Sequence, residues 1–532
     1  MPYGAEGPLR ADSGQVCKGL PLAIVSVGSL LFVREKNPTE WKRIHDQLGW
    51  ELAHNPGLDD VRNTLYLSFI YLPTYLKSCF LYCSLFPEDY ILHRKLLIRL
   101  WIAEGFIEER GHSSTLEEVA EGYLNELVHR NMLQPAECNS FGRIRSCKMH
   151  DIVRELAIDL SQKESFGLAY EYGNHGILDT NTRRLVVSKC SNDILPHLQL
   201  PRLRSCIIFH KAMPSSRILD SVAVNSKYIV VLELCGLTIE EVPSAVGDLF
   251  NLRDSKVKIL PKSIEKLSNL LTLDIFNSVI QELPHGIVKL KNLRHLLVER
   301  IVDRSHRSFI CRHGMRIQKG LSKLTSLQTL NTIEAREDSI KELGELKQLR
   351  SLRISNQKET HCALFCRSIL KMQLLNQLHI TMSDKDQILQ LNELKTPPLN
   401  LQKLILRGRL AEVIFQSPLF QKGGKKLCGL YLVWSCLPED PLPSISGLDN
   451  LTELHLTEAF VGKILTFNKG WFPNLKSLKL RDLPSLSKLK IKKGAMESLH
   501  ILQLVNLRKL KGVPAGLEFL TSLQSLKFSP YH

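Results

Sequence analysis

No G-x-x-x-x-G-K-[ST] run occurs in the 532-residue sequence, and no strand ending in paired acidic residues precedes Gly19. Such a Gly-rich loop supplies the backbone N–H groups and the lysine that hold a nucleotide's phosphates. ATP hydrolysis is therefore not expected of this polypeptide, and no catalytic residue is assigned. C-x-x-C pairs are absent as well. The 13 cysteines form an odd set scattered from Cys17 to Cys436. Its four-apart pairs, Cys79/Cys83 and Cys362/Cys366, have no cluster of histidines nearby. Reduced, mostly buried thiols are expected in place of disulfides or a metal site. Residues 1–18 lack the apolar run of a secretory leader. The most hydrophobic segment, Leu20 to Val33, is too short to span a bilayer and carries Pro21, Ser26, Gly28 and Ser29. The expectation is an intracellular chain that does not cross a membrane.

What the sequence has in abundance is a ladder of leucines from about Ile229 to Phe528. One pattern returns: an apolar residue, two variable positions, an apolar residue, one variable position, an apolar residue. Clean copies include Leu270-Leu273-Ile275, Leu349-Leu352-Ile354, Leu401-Leu404-Leu406 and Leu475-Leu478-Leu480. From Leu427 through Leu451, Leu475 and Leu499 to Leu523 the step is 24 residues without a break. A fixed period in this range marks a leucine-rich-repeat solenoid. The last two apolar residues of each copy are two apart, so a strand points both into the core and the residue between them outward. No repeat buries its leucines alone, so neighbours must stack. Proline precedes apolar residues at every third position in Pro243-Val246-Leu249, Pro261-Ile264-Leu267, Pro284-Ile287-Leu290 and Pro514-Leu517-Leu520. There it suits the first turn of a short helical segment on the convex side.

The N-terminal third reads differently. Residues 1–15 show no period and are expected to be disordered. Helices are expected at Leu20 to Val33, around Trp41 to Leu52, from Asp59 to Phe69, through the Cys79 run as far as Phe86, and over Ile91 to Ile107, Thr115 to Arg130 and His150 to Gln162. Short extended pieces near Met132 to Gln134 and Ile144 to Lys148 would form a small hairpin, giving a winged-helix unit. The formal charge of +16 brings nucleic acid into consideration. Against it, the third winged-helix helix carries Glu117, Glu118, Glu121 and Glu126, a poor surface for a phosphate-lined groove. The fold class is α followed by α/β.

Gly19-Leu20-Pro21-Leu22-Ala23, the run Cys79-Phe80-Leu81-Tyr82-Cys83-Ser84-Leu85-Phe86-Pro87 and Met149-His150-Asp151 occur in an order that resembles plant nucleotide-binding leucine-rich-repeat immune receptors. Trp101-Ile102-Ala103-Glu104-Gly105-Phe106-Ile107 gives the likeness the flavour of the coiled-coil class. The resemblance covers residues 16–532. It implies a partial helical domain of the NB-ARC module at 16–77, a winged helix at 78–165, a linker at 166–185 and the repeats at 186–532. The chain would then be the C-terminal portion of such a receptor, without its coiled coil and phosphate loop. The family's cofactor is ADP or ATP; Pro21 would pack beside the adenine and His150 would reach the β-phosphate, although tight binding by this chain is not expected. Asp151 would cap or orient the next helix. The resemblance implies a cytoplasmic receptor, or one held peripherally at the plasma membrane. Its repeats would restrain the nucleotide switch and bind a pathogen effector or a guarded host protein, with NB-ARC domains of other receptors as further partners. The outcome would be defence and cell death.

Within the repeats the outward strand positions are Arg353, His379, Ile405, Tyr431, His455, Lys479, Gln503 and Lys527, followed two residues on by Ser355, Thr381, Arg407, Val433, Thr457, Arg481 and Val505. A patch of Ile405, Tyr431 and Val433 beside Trp434, flanked by Arg407, His455, Lys479 and Arg481, has the composition of a protein-binding hot spot. Shielding of Ile405 and Val433 by a neighbouring loop is the competing expectation. An insertion between Leu293 and Leu327 carries Arg304, Arg307, Arg312, Arg316 and Lys319, which would suit the acids Glu104, Glu108, Glu109, Glu117, Glu118 and Glu121.

Overall fold

The computed structural model describes residues 66–529 apart from 67, 109–114, 140–141, 171–180, 189–200, 210–229, 234–248, 252–258, 261, 267, 269, 304–307 and 422. The chain divides into two compact units, one of residues 1–210 with 221–232, the other of residues 211–220 with 233–532. The segments expected as a disordered start, and most of the partial helical domain with Gly19 to Ala23, lie outside the described residues.

Among the described residues of the first unit are four helices of ten residues or more and a three-stranded sheet. Helix α1 is Thr74–Ser84, α2 Arg94–Ala103, α3 Leu116–His129 and α4 Asp151–Lys163. Strands β1 (Leu92–His93), β2 (Gln134–Cys138) and β3 (Ile144–Lys148) pair antiparallel with β3 in the middle. This is the expected winged helix, shifted by a few residues: α1 starts before residue 78 and ends at Ser84, two residues short of Phe86. Thr115 begins α3 with a complete capping box, its Oγ1 accepting from Glu118 N–H while Glu118 Oε2 accepts from Thr115 N–H. That arrangement satisfies two of the donors left over at a helix start. One face of α3 buries Val119, Ala120, Tyr123, Leu124 and Leu127. The acids on the other face are engaged: Glu121 with Arg94 (2.9 Å) and Arg143, Glu126 with Arg130 (2.9 Å). Trp101, Tyr82, Tyr123, Phe80 and Phe86 are fully buried.

Of the interval 166–185, expected as a linker, the described ends carry strands. Leu168–Tyr170 pairs parallel with Arg184–Val187, which pairs parallel with Ser205–Ile208. Each of these short strands is largely apolar, and all eight residues of the second and third are buried. Parallel strands buried on both faces do not alternate polar and apolar, which is why no repeat pattern is visible in them.

The second unit is the solenoid. Its strands run parallel in register, with Arg353, His379, Ile405, Tyr431, His455, Lys479, Gln503 and Lys527 in one row across the sheet. Flanking leucines such as Leu404, Leu430, Leu454 and Leu478 are completely buried; each contributes about 1.5–3 kcal/mol relative to exposure. Short 3-10 helices follow Pro284 (His285–Lys289) and Pro514 (Leu517–Phe519) as the proline spacing predicts. Two devices went unread in the sequence. Asn450 and Asn474 each donate Nδ2 to a backbone carbonyl 25 residues back, Lys425 and Asp449 respectively, tying a repeat to its predecessor. Four strands end in left-handed residues 24 apart, Trp434, Glu458, Asp482 and Asn506. Each donates its N–H to the end of the next strand, 2.8–3.1 Å away. Asparagine and aspartate tolerate this conformation; Trp434, at φ 58°, is held in it at a cost of about 1 kcal/mol or more.

Candidate functional site

All seven residues of the expected partner patch, Ile405, Arg407, Tyr431, Val433, His455, Lys479 and Arg481, line one cleft of about 300 Å³ on the outward face of the second unit's sheet. Arg312, Arg353 and His379 line it too. The cleft exists because the sheet's two-residue period brings every second side chain of six neighbouring strands to one side.

The patch is not uniformly open. Arg407 is 7% exposed and Val433 9% exposed, so the expectation of a freely exposed patch is corrected at these two positions. The insertion covers them. Arg407 Nη1 donates to the carbonyls of Ser308 (3.1 Å) and Phe309 (2.9 Å), and the Phe309 ring meets Trp434 edge-on at 5.8 Å. Shielding by a loop therefore holds for Val433, while Ile405, Tyr431, His455, Lys479 and Arg481 stay half-exposed. Ser355 is also covered, 5% exposed, with its Oγ accepting from Gly314 N–H of the insertion at 3.1 Å.

The insertion's other charges find acids in their own unit. Arg312 pairs with Glu299, Arg316 with Glu334 at 3.0 Å, and Lys319 with Asp338 at 3.6 Å; Arg304 and Arg307 lie outside the described residues. Glu299, only 1% exposed, also accepts from Arg353 Nη1 (2.7 Å) and Thr332 Oγ1 (2.9 Å). One carboxylate thus serves two guanidinium groups.

The titrating groups record this imbalance. Burial lowers Arg312 to about 10, with Arg353 and Arg407 adding repulsion. Burial also lowers Arg407 and Lys479, the latter further pressed by Arg481. Burial takes His455 down to about 4, Glu453 opposing the shift and Lys479 and Lys403 adding to it. His379 falls well below the ordinary imidazole range, chiefly by burial and then through Arg353, Arg312, Arg407 and Lys403. Its Nδ1 is buried without a hydrogen-bond partner. Tyr431 meets His455 edge-on (4.2 Å), carries the Lys403 ammonium over its ring (4.4 Å) and donates to Glu453.

Sequence reasoning missed the contributions of Arg312, Arg353 and His379 to the cleft, and Glu299 as the buried partner of both arginines. Arg353 and His379 are visible as outward strand positions, but only the fold of the insertion brings Arg312 over them.

The second candidate site is fragmentary. His150, 3% exposed, is the N-cap of α4, and its Nδ1 accepts from Ile152 N–H at 3.2 Å. A neutral ring that accepts at Nδ1 carries its proton on Nε2, the nitrogen a phosphate oxygen would need. Met149 is buried and Asp151 opens the helix, so the cap is His150 itself. Gly19, Leu20, Pro21, Leu22 and Ala23 lie outside the described residues. Among the described cysteines, Cys79, Cys83, Cys362 and Cys366 are free and buried, and burial raises the Cys366 thiol to about 12. No described helix is long and apolar enough to cross a membrane.

Comparison with known proteins adds the following. A family model described as the disease resistance protein winged helix domain matches residues 85–157, and one described as a leucine-rich repeat region matches residues 202–531. Disease resistance protein RPM1 of Arabidopsis thaliana is 36% identical over 532 residues, covering 98% of this chain and 56% of that protein. The probable disease resistance RPP8-like protein 2 of the same plant is 28% identical, covering 96% of this chain and 57% of that protein. The chain thus spans about half the length of these curated relatives. Among solved structures, a leucine-rich-repeat protein of Leptospira interrogans aligns with TM-score 0.45 and 22% identity, over 66% of this chain and 85% of that one.

Proposed function

We propose that this chain, which belongs to the plant disease resistance proteins with a winged-helix domain and a leucine-rich-repeat region, works as a receptor without catalysis of its own. Its repeat unit docks a protein, a pathogen effector or a guarded host protein, in the cleft over Ile405 to Arg481. Docking would relieve a restraint that the repeats place on the nucleotide switch, and NB-ARC domains of other receptors would be the next partners. The cytoplasm, with peripheral attachment at the plasma membrane as its variant, is the compartment this reading requires.

The observation that carries the reading is the convergence of Tyr431, Ile405 and His455 with Arg407, Lys479 and Arg481 in one cleft. Aromatic and Arg anchors in a recessed, partly desolvated surface are where binding energy concentrates. A photo-crosslinking residue in place of Tyr431 should capture one discrete protein in challenged leaf tissue, and the same residue at the exposed Lys425 should not. Equal capture at both positions would contradict the reading.

A second reading, a switch that binds ADP or ATP, is favoured by the place of His150 at the N-cap of α4. The nucleotide, when bound, would supply the charge difference that separates the two states. This chain's part would be one imidazole donor to the β-phosphate from a helix cap, with Pro21 beside the adenine. Titration calorimetry with ADP tests it: heat that disappears in His150→Ala supports the contact, and heat unchanged by that substitution removes it.

A further inference from the structure

We propose that the cleft selects an acidic segment of the docked protein, lying extended across the strands, with two carboxylate side chains about four residues apart and an apolar residue between them. The inference rests on the docking reading above and adds the chemistry of the segment.

Among the described residues five cations line the cleft, Arg312, Arg353, Arg407, Lys479 and Arg481, and no acid does. The neighbouring carboxylates are occupied: Glu299 with Arg312 and Arg353, Asp482 with Arg481 at 2.9 Å and with Asn506 Nδ2, Glu453 with Tyr431. Arg407 donates to two neutral carbonyls, and the nearby Asp303 carboxylate, which also accepts from Ser308 N–H, offsets part of its charge. The surplus of positive charge is therefore built in, and low-dielectric walls concentrate its field. A ligand anion would relieve the repulsion that these groups already bear.

Their distribution sets the shape of the ligand. The cations form two groups, Arg312, Arg353 and Arg407 at one end and Lys479 with Arg481 at the other. Arg407 and Arg481 sit three strands apart in the same row, through Val433 and Thr457. Three steps of about 4.8 Å make roughly 14 Å, and an extended peptide covers that in about four residues at roughly 3.3 Å each. Between the two groups, in the neighbouring row from Ile405 to Lys479, lie the Tyr431 and His455 rings, with the Lys403 ammonium held on the Tyr431 ring and hydroxyl. An apolar side chain fits there and a third acid gains little. A compact polyanion would reach one group at a time.

Panning a random dodecapeptide phage library on the purified chain tests this, with the Lys479→Glu/Arg481→Glu variant as counter-selection. Lys492→Glu/Lys493→Glu, exposed lysines away from the cleft, is the charge control, and circular dichroism checks that all three proteins fold alike. The expected outcome is enrichment of peptides with two acids four apart around an apolar residue, weakened at least tenfold by Lys479→Glu/Arg481→Glu and less than twofold by the control. Enriched peptides without an acid excess, or acidic peptides bound equally by the cleft variant, overturn the proposal. So does tight binding of inorganic tripolyphosphate with no acidic peptide enriched, which would make the ligand a small polyanion. Crosslinking at Tyr431 that succeeds while panning returns neutral peptides leaves the docking face standing and removes only the acidic segment.

Discussion

Two buried glutamates, one in each unit, are handled in opposite ways. Glu104, in the first unit, accepts from Arg184 Nε and Nη2 at 2.9 Å and from Ser205 Oγ. Arg184 in turn lies over the Phe106 and Phe166 rings at 5.0 and 4.2 Å and donates Nη1 to the Phe166 carbonyl. Arg204 also stands 4.0 Å from the Glu104 carboxylate, but its side chain is 40% exposed, so Arg184 is the buried base there and Glu104 matches it. Glu299, in the second unit, faces Arg312 and Arg353 together, with Arg407 beyond them. A buried pair ties the winged helix to the first strands of its own unit, whereas the cations around Glu299 outnumber the acid they share. Under the docking proposal that remainder is what an acidic segment would meet.

The sharpest way to break that contrast is to remove each acid. Glu104→Leu leaves Arg184 buried and unpaired, and the first unit should lose about 3–5 kcal/mol. Denaturant-dependent hydrogen exchange over α2 measures it, and the double variant Glu104→Leu/Arg184→Leu should recover more than half. Glu299→Gln should cost less, about 2 kcal/mol, because an amide oxygen remains to accept and the Arg312 and Arg353 side chains are 26% and 31% exposed, and it should tighten binding of acidic peptides severalfold. A loss of peptide binding in Glu299→Gln, measured by fluorescence anisotropy, would place the two glutamates in the same class.

Proton linkage gives a smaller effect. The His455 imidazole is depressed in the folded chain to about 4 from an ordinary 6.5, so the folded state takes up its proton later than the unfolded one. Stability from this group is complete above pH 6.5 and drains away as pH falls toward 4, by up to about 3 kcal/mol. His455→Asn should flatten that acid limb in urea melts of the second unit, and an unchanged limb would show that the ring is solvated. Asn474→Ala, which removes one tie between repeats, should cost about 1 kcal/mol. A loss several times larger would mean that these amides hold the stack more than the leucines do.

The solenoid was legible because its leucines repeat at fixed spacing and a strand's alternation is a matter of geometry alone; every outward residue from Arg353 to Lys527 falls in the row assigned to it. The strands at 168–170, 184–187 and 205–208 were not, since segments buried on both faces carry no alternation. The cleft was half legible. Ile405, Tyr431, His455, Lys479 and Arg481 follow from register. Arg407 and Val433 are outward in register but covered, because the fold of an insertion across a sheet depends on contacts such as Arg407 with the Ser308 carbonyl, about 100 residues away along the chain. His150 illustrates the opposite limit: its place before a helix start allows either a capping residue or a phosphate donor, and the structure shows the imidazole as the cap.

Hydrogen–deuterium exchange of the chain with and without the protein captured at Tyr431 tests the central claim most directly. The account predicts added protection in the strands 403–407, 429–433, 453–457 and 477–481, centred on the cleft and weakened by Lys479→Glu/Arg481→Glu. Protection confined to the helical side of the repeats or to α2 and α3, with those four strands unchanged, would contradict it.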